Sequence, residues 1–216
     1  MVDIAKGHGT SAPNTPVTTN GRPVPNTGRQ LGTAWHASPG STGAPDSAYG
    51  VTGRPATAAR YLLAGLRLAL GWIFLWAFLD KLFGLGRSTG SENAWLDGGS
   101  PTAGFLGTAA TGPFTGFYHS IAGSPVADVL FMAALLGIGA ALLLGVGMRI
   151  AAAAGALLTV LMWTAVLPPA SNPFLDDHLV YAAVLVVLAL LGAGRTWGFG
   201  RRWAATALVR RNTWLT

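Results

Sequence analysis

Seven side chains in this chain of 216 residues combine a reactive type with a suggestive position: Arg67, Asp80, Lys81, Asp176, Asp177, His178 and Tyr181. Each interrupts or borders a long apolar run. An ionisable group within such a run costs roughly 2–3 kcal/mol or more if the run lies in a membrane, which makes it a functional candidate by default. Arg67 and Lys81 lie about four helical turns apart and project from nearly one face, along a stripe with Gly71, Phe74 and Phe78. Asp80 points elsewhere. His178 and Tyr181 are three residues apart and face one groove. Lysine, imidazole and phenol supply protons and hydrogen bonds, and a neighbouring carboxylate orients or relays them, so the chemistry on offer is proton transfer to a carbonyl-like oxygen. Each group also has a structural role that fits. Arg67 can snorkel to an interface or pair with a carboxylate. Asp80-Lys81 can be an interfacial helix end. Asp176 or Asp177 can cap a helix and complement its dipole.

The elements that must position these groups are four apolar blocks, at about 61–83, 126–148, 150–167 and 178–193. At ~1.5 Å per residue a ~30 Å hydrocarbon core takes about 20 residues, range ~17–25. The first three blocks qualify; the fourth is short, and spans if Asp177 and Gly194 sit at the two interfaces. Composition agrees. Hydrophobic residues make up 51% of the chain and charged residues 10%, against roughly 25% charged in soluble domains. That leaves too little polar surface to cover a water-soluble globule. The expectation is an all-α membrane protein, a four-transmembrane-helix bundle over residues 60–203. Residues 1–59 form a tail of different character: Gly, Pro, Ser and Thr fill 29 of the first 60 positions, and Leu, Ile, Val and Phe only 6. Such a segment buries too little to offset its ordering entropy and reads as disordered, and its lack of an early apolar run does not read as a secretory signal. A basic carboxyl tail covers 204–216.

Charge placement predicts the orientation. Lys6, Arg22, Arg29, Arg54 and Arg60 precede the first block, Arg149 joins the second and third, and Arg195, Arg201, Arg202, Arg210 and Arg211 follow the fourth. The other side holds Lys81 and Arg87 against Asp80, Glu92, Asp97, Asp128, Asp176 and Asp177. Both termini are therefore expected in the cytoplasm, with the protein in the cell membrane. The net charge of +6 is then a topology signal and only residually a lipid-headgroup patch, with no call for nucleic acid. The long outer loop at 84–125, between helices 1 and 2, carries Trp95, Phe105, Phe114, Phe117 and Tyr118; it reads either as an aromatic anchor or as a lid over the helix ends. Small residues at Gly137, Ala141 and Gly145, and at Ala151, Gly155 and Thr159, predict a tight antiparallel hairpin of the second and third blocks.

Several chemistries are excluded by inspection. There are no cysteines and therefore no disulfides, thiolate nucleophiles or cysteine-ligated clusters. No Walker sequence, no glycine-rich strand–turn–helix fingerprint and no HExxH or HxxxH spacing occurs. His8 and His36 fall in the tail, leaving His119 and His178, too few for a bis-histidine haem beside any other site. No metal, haem or flavin site is legible. By topology Lys81, Asp80, Asp177, His178 and Tyr181 share the outer level, which makes them the best candidate site.

Four segments carry a resemblance: RLALGWIFLWAFLDKLFGLG at 67–86, GGSPTAGFL at 98–106, LLGIGAALLLGVGMRIAAAAG at 135–155 and NPFLDDHLVYAAVLVVLALLGAGRTWGFGRRW at 172–203. Over residues 60–203 the chain resembles the DoxX family, and within it the large, DoxD-type membrane subunit of thiosulfate:quinone oxidoreductases. The resemblance implies a four-helix membrane protein that passes electrons from thiosulfate to a membrane quinone together with a separate small subunit. In that setting Lys81, His178 and Tyr181 are donors to quinone oxygens, with Asp177 or Asp80 as relay. Trp72, Trp76, Phe78 and Trp163 would wall an apolar ring pocket, with Arg67 on the same helix stripe. Two observations stand against it: the acidic outer face steers a dianion poorly, and no electron carrier is present in the chain. A non-catalytic scaffold or accessory subunit of a respiratory or redox complex, in a homo- or hetero-oligomer, is the alternative. A small-solute transporter comes third, since no inverted repeat is readable.

Overall fold

A computed structural model describes residues 53–170, 172–212 and 215. Residues 1–52, most of the tail expected to be disordered, with His8 and His36, lie outside the described residues. Helix α1 spans Arg54–Phe83, α2 Thr115–Ile121, α3 Pro125–Leu144, α4 Met148–Ala165, α5 Asp177–Leu190, α6 Gly200–Ala204 and α7 Ala207–Arg211. Among the described residues no strand forms, and a lone bridge joins Thr111 to Val166.

The helix ends follow local chemistry. α1 starts at Arg54, ahead of the expected boundary at residue 60, because Pro55 suits the first turn and an alanine-rich run follows. It ends on Gly84 in the left-handed conformation (φ 63°). Ser124 caps α3, accepting from the Ala127 amide at 3.2 Å, with Pro125 next. Gly145 and Gly147, both at positive φ, make the turn into α4. That turn ends α3 and starts α4 a few residues earlier than hydropathy alone suggests, because apolar text continues through it.

α1, α3 and α4 are long and apolar enough to cross a membrane, while α5 is apolar but only 14 residues long. Their outward faces present Leu62, Trp72, Val129, Leu130, Leu157 and Leu161 to the surroundings. An apolar exterior of this extent fits a hydrocarbon solvent rather than water.

α1 packs chiefly on α3, and α4 on α5, with a smaller contact between α3 and α4. Gly139 makes the first pairing close: a Cβ there would lie 2.8 Å from the Leu75 amide nitrogen. Gly71 does the same in reverse, with a Cβ position 3.0 Å from the Leu143 nitrogen. Gly155 admits the Leu185 side chain of α5 in like manner. The small-residue stripe therefore works differently from the expectation. α3 and α4 do form a hairpin, with a Cβ at Gly155 3.3 Å from Ile138 of α3, but Gly137 is exposed with nothing near it, and the closest approaches run crosswise from Gly139 to α1 and from Gly155 to α5. The core between the helices is Leu70, Phe74, Met132, Ile138, Leu142 and Leu185.

The 84–125 loop folds against the bundle. Trp95 packs on the main core, and Tyr118 joins Ala110 and Ala165 in a second cluster. Phe114 and Phe117 stay exposed. The carboxyl segment 204–212 also has structure: α7 buries Val209, and the Trp203 indole N–H donates to the Leu215 carbonyl at 2.8 Å.

Candidate functional site

At the loop end of the bundle three polar groups hold the structure together, and one of them, Asp80, looked reactive in the sequence. Asp80 is 1% exposed. Its carboxylate accepts the Arg87 amide (3.1 Å), the Ser88 amide (3.0 Å) and the Ser88 hydroxyl (2.7 Å), which pins the loop as it leaves α1. Asp128 does the same at the other end, where Oδ1 accepts the Ser100 hydroxyl (2.9 Å), the Thr102 amide (3.0 Å) and the Thr102 hydroxyl (2.6 Å). Tyr118 bridges the loop to α4, its hydroxyl donating to the Leu161 carbonyl at 3.0 Å and standing 2.5 Å from the Thr164 hydroxyl. Backbone continues the tie, from the Thr111 amide to the Ala165 carbonyl at 2.8 Å.

The polar group that keeps a chemically open arrangement is at the head of α5. Asn172 folds the approach, its side-chain oxygen accepting the Phe174 and Leu175 amides. Asp176 then caps α5: Oδ1 accepts the His178 amide at 3.1 Å and the Leu179 amide at 3.3 Å. Its second oxygen, Oδ2, lies 2.7 Å from His178 Nδ1. Asp177, the carboxylate expected in the site, is 67% exposed, with its nearer oxygen 3.7 Å from the same nitrogen. Asp176 is therefore the intimate partner of His178 and Asp177 the peripheral one. The signal was present in the sequence, since a carboxylate two residues before a histidine at a helix start can cap and bind the ring together.

With Asp176 holding Nδ1, the ring is fixed in orientation and Nε2 becomes the exchanging nitrogen. Such a pair accepts or delivers one proton at a defined place. Asp176, Asp177 and His178 also place ligand atoms within 4.8 Å of one another. Asp176 and His178 already bond each other, and Asp176 also bonds the helix amides.

The remaining sequence candidates divide. Phe78 and Tyr181 pack against the same core. Trp163 joins the α5 approach, its indole N–H donating to the Phe174 carbonyl at 2.9 Å. Trp76 lies beside Trp72 with centroids 5.8 Å apart and ring planes tilted by 39°, and the two border an outward groove reaching Arg87 and Ser88. Lys81 is half-buried beside Asp80 at the end of α1. Arg67 stands apart, about 21 Å from Lys81 along the helix at 1.5 Å per residue. It is 0% exposed, and its guanidinium is used on backbone: Nη1 on the Leu142 (2.5 Å) and Leu143 (3.3 Å) carbonyls, Nη2 on those of Thr196 (3.2 Å) and Trp197 (2.9 Å). It neither snorkels nor pairs with a carboxylate.

Sequence reasoning passed over a second feature, a cleft at the opposite end of the bundle bordered by Arg60, Arg195, Arg201 and Arg202. Arg60 and Arg195 are too far apart in the chain for any motif to join them. Compared with family models, curated proteins and solved structures, the chain matches none.

Proposed function

We propose that α1, α3, α4 and α5 all cross the bilayer, with both termini in the cytoplasm of a bacterium and the 84–125 loop outside. α5 is short, but its polar Asp176 head and the Gly192–Arg195 turn extend it to both interfaces. The lysine and arginine asymmetry supports the orientation.

In this reading the chain is a DoxX-type membrane subunit of a quinone-linked oxidoreductase, with thiosulfate as donor and a small partner subunit. The observation that carries it is the 2.7 Å pairing of His178 Nδ1 with Asp176 at the outer end of an apolar helix. Reducing a quinone takes two electrons and two protons. Joining two thiosulfate ions through a new S–S bond releases the two electrons, and a group at the membrane edge must deliver the protons to the two carbonyl oxygens. A histidine oriented by a carboxylate suits that step, and Lys81 and Tyr181 are further donors at the same level. Asp80 leaves the list of relays, because its oxygens already accept three hydrogen bonds.

Membranes containing the protein and its partner should reduce quinone when given thiosulfate, and His178→Ala should abolish this while the protein remains inserted. Unchanged reduction in that variant would sink the assignment.

A second function has specific support. Asp80, Asp128, Tyr118 and Arg67 all tie one element to another, which also suits a rigid accessory subunit that holds a redox complex together. Copurified partners combined with indifference to His178→Ala would select it.

A further inference from the structure

The cleft opposite the long loop has a volume of about 530 Å³. It is bordered by four arginines, Arg60, Arg195, Arg201 and Arg202, and by the ring pair Tyr61 and Trp197. Among the described residues, none lining it is acidic. Its floor is rigid for reasons already given: Arg67 grips the Thr196 and Trp197 carbonyls from inside, and the Phe199 amide donates to the Leu144 carbonyl at 2.8 Å. Trp197 holds a left-handed backbone (φ 51°) that no glycine relieves. Its ring lies on Tyr61, centroids 5.1 Å apart. The Arg202 guanidinium lies over the Phe199 ring at 5.8 Å. Arg195, Arg201 and Arg202 all border the cavity, and an anion held between guanidiniums lowers their mutual repulsion.

Depth and shape define the anion. Arg60 is the last residue before the apolar block of α1 begins, and the exposed Tyr61 and Trp197 rings are of the type that settles at a membrane–water boundary. Phosphate sits at that level in a bilayer. A guanidinium fork matches two oxygens of a phosphate, and arginine is the side chain suited to such planar pairing. The volume accommodates a phosphate with its polar substituent, and the apolar flank of α1 continues beside it for an acyl chain.

We propose that this cleft binds the phosphate of an anionic phospholipid headgroup. The site is separate from the His178 end and depends on the membrane assignment alone, with no part in quinone chemistry.

The test uses the full chain, purified in an uncharged detergent and stripped of lipid. Phosphatidylglycerol, phosphatidylcholine and inorganic phosphate are titrated in turn, and bound molecules are counted by native mass spectrometry. Retention of phosphatidylglycerol over phosphatidylcholine is expected, with Arg201→Gln/Arg202→Gln weakening it by about tenfold or more. Arg210→Gln/Arg211→Gln removes the same charge from outside the cleft and should change affinity by no more than about twofold. Thermal unfolding establishes that both variants are folded, and Arg195→Gln provides an independent cleft variant. Equal losses in the two double variants, or no preference between the lipids, would overturn the proposal. Binding of inorganic phosphate as tight as that of the lipid would assign the cleft to a soluble phosphate and overturn the lipid headgroup.

Discussion

Arg67 Nη1 stands 2.5 Å from the carbonyl oxygen of Leu142, a residue 75 positions later in the chain. Leu142 and Leu143 lie in the last turn of α3, where carbonyls lose their helical partners and the dipole is negative. One buried cation on α1 thus completes the end of α3 while its other nitrogen holds the Thr196–Trp197 turn. The neighbouring glycines are part of the arrangement: a Cβ at Gly145 would lie 2.5 Å from Arg67 Nη1, and one at Gly198 would lie 3.1 Å away.

Arg67→Leu takes a donor from each of the four carbonyls and leaves the buried Leu142 oxygen with the Gly145 amide alone, at 3.2 Å. Each unsatisfied buried acceptor costs about 1–3 kcal/mol, so unfolding in mild detergent should become easier by at least about 2 kcal/mol. Arg67→Lys should recover only part of the loss, since one ammonium cannot reach both pairs of carbonyls. Chemical denaturation of the three proteins measures this. An unaltered midpoint in Arg67→Leu would mean the clamp contributes nothing.

The glycines of α3 separate contact from composition. Gly139→Ala puts a methyl group 2.8 Å from the Leu75 nitrogen, and backbone cannot yield as a side-chain tip can. A loss of about 1–3 kcal/mol is expected. Gly137→Ala, two residues earlier and with nothing within 4 Å, should be neutral or slightly stabilising. The same denaturation experiment compares them, and equal effects would contradict the crosswise packing.

The loop is held at both ends by carboxylates. Asp80→Ala should release the Arg87 and Ser88 amides, and Asp128→Ala the Thr102 amide. Hydrogen exchange at those amides should accelerate by about ten- to a hundredfold in the matching variant and not in the other. Exchange that is already fast in the wild type would show that the two ties do not protect the loop.

Much of the architecture was legible because hydropathy is a strong, local signal. The four apolar blocks became α1, α3, α4 and α5, but the hairpin turn fell at Gly145 and Gly147, ahead of Arg149 where the break in hydropathy put it. Partner choice was not legible, because small residues at Gly137 and Gly139 look alike until α1 is placed beside one of them. The polar groups show the same limit. Arg67, Asp80 and Asp128 stand out as charges in apolar text, but whether a buried charge works on a ligand or on a distant carbonyl depends on contacts across the fold. Within the α5 head the composition of the site was readable, and the two-residue spacing of Asp176 and His178 carried the choice of Asp176 over Asp177, which the cap geometry then makes plain.

That choice gives the sharpest test of the candidate site. Asp176 does two things at once, capping α5 with one oxygen and holding His178 with the other. Asp176→Asn preserves the cap, since asparagine caps helices as well as aspartate does. It removes the negative charge that steadies a protonated imidazole. If His178 moves protons, Asp176→Asn should keep thermal stability within about 0.5 kcal/mol. Turnover should fall by about a hundredfold, the scale of a positioned acid–base group. Asp177→Asn, on an exposed neighbour, should leave turnover within a few-fold. Thiosulfate-dependent quinone reduction and thermal unfolding, measured on both variants, separate the roles. A drop in stability with no separate kinetic effect would make Asp176 a helix cap only, and His178 its passenger.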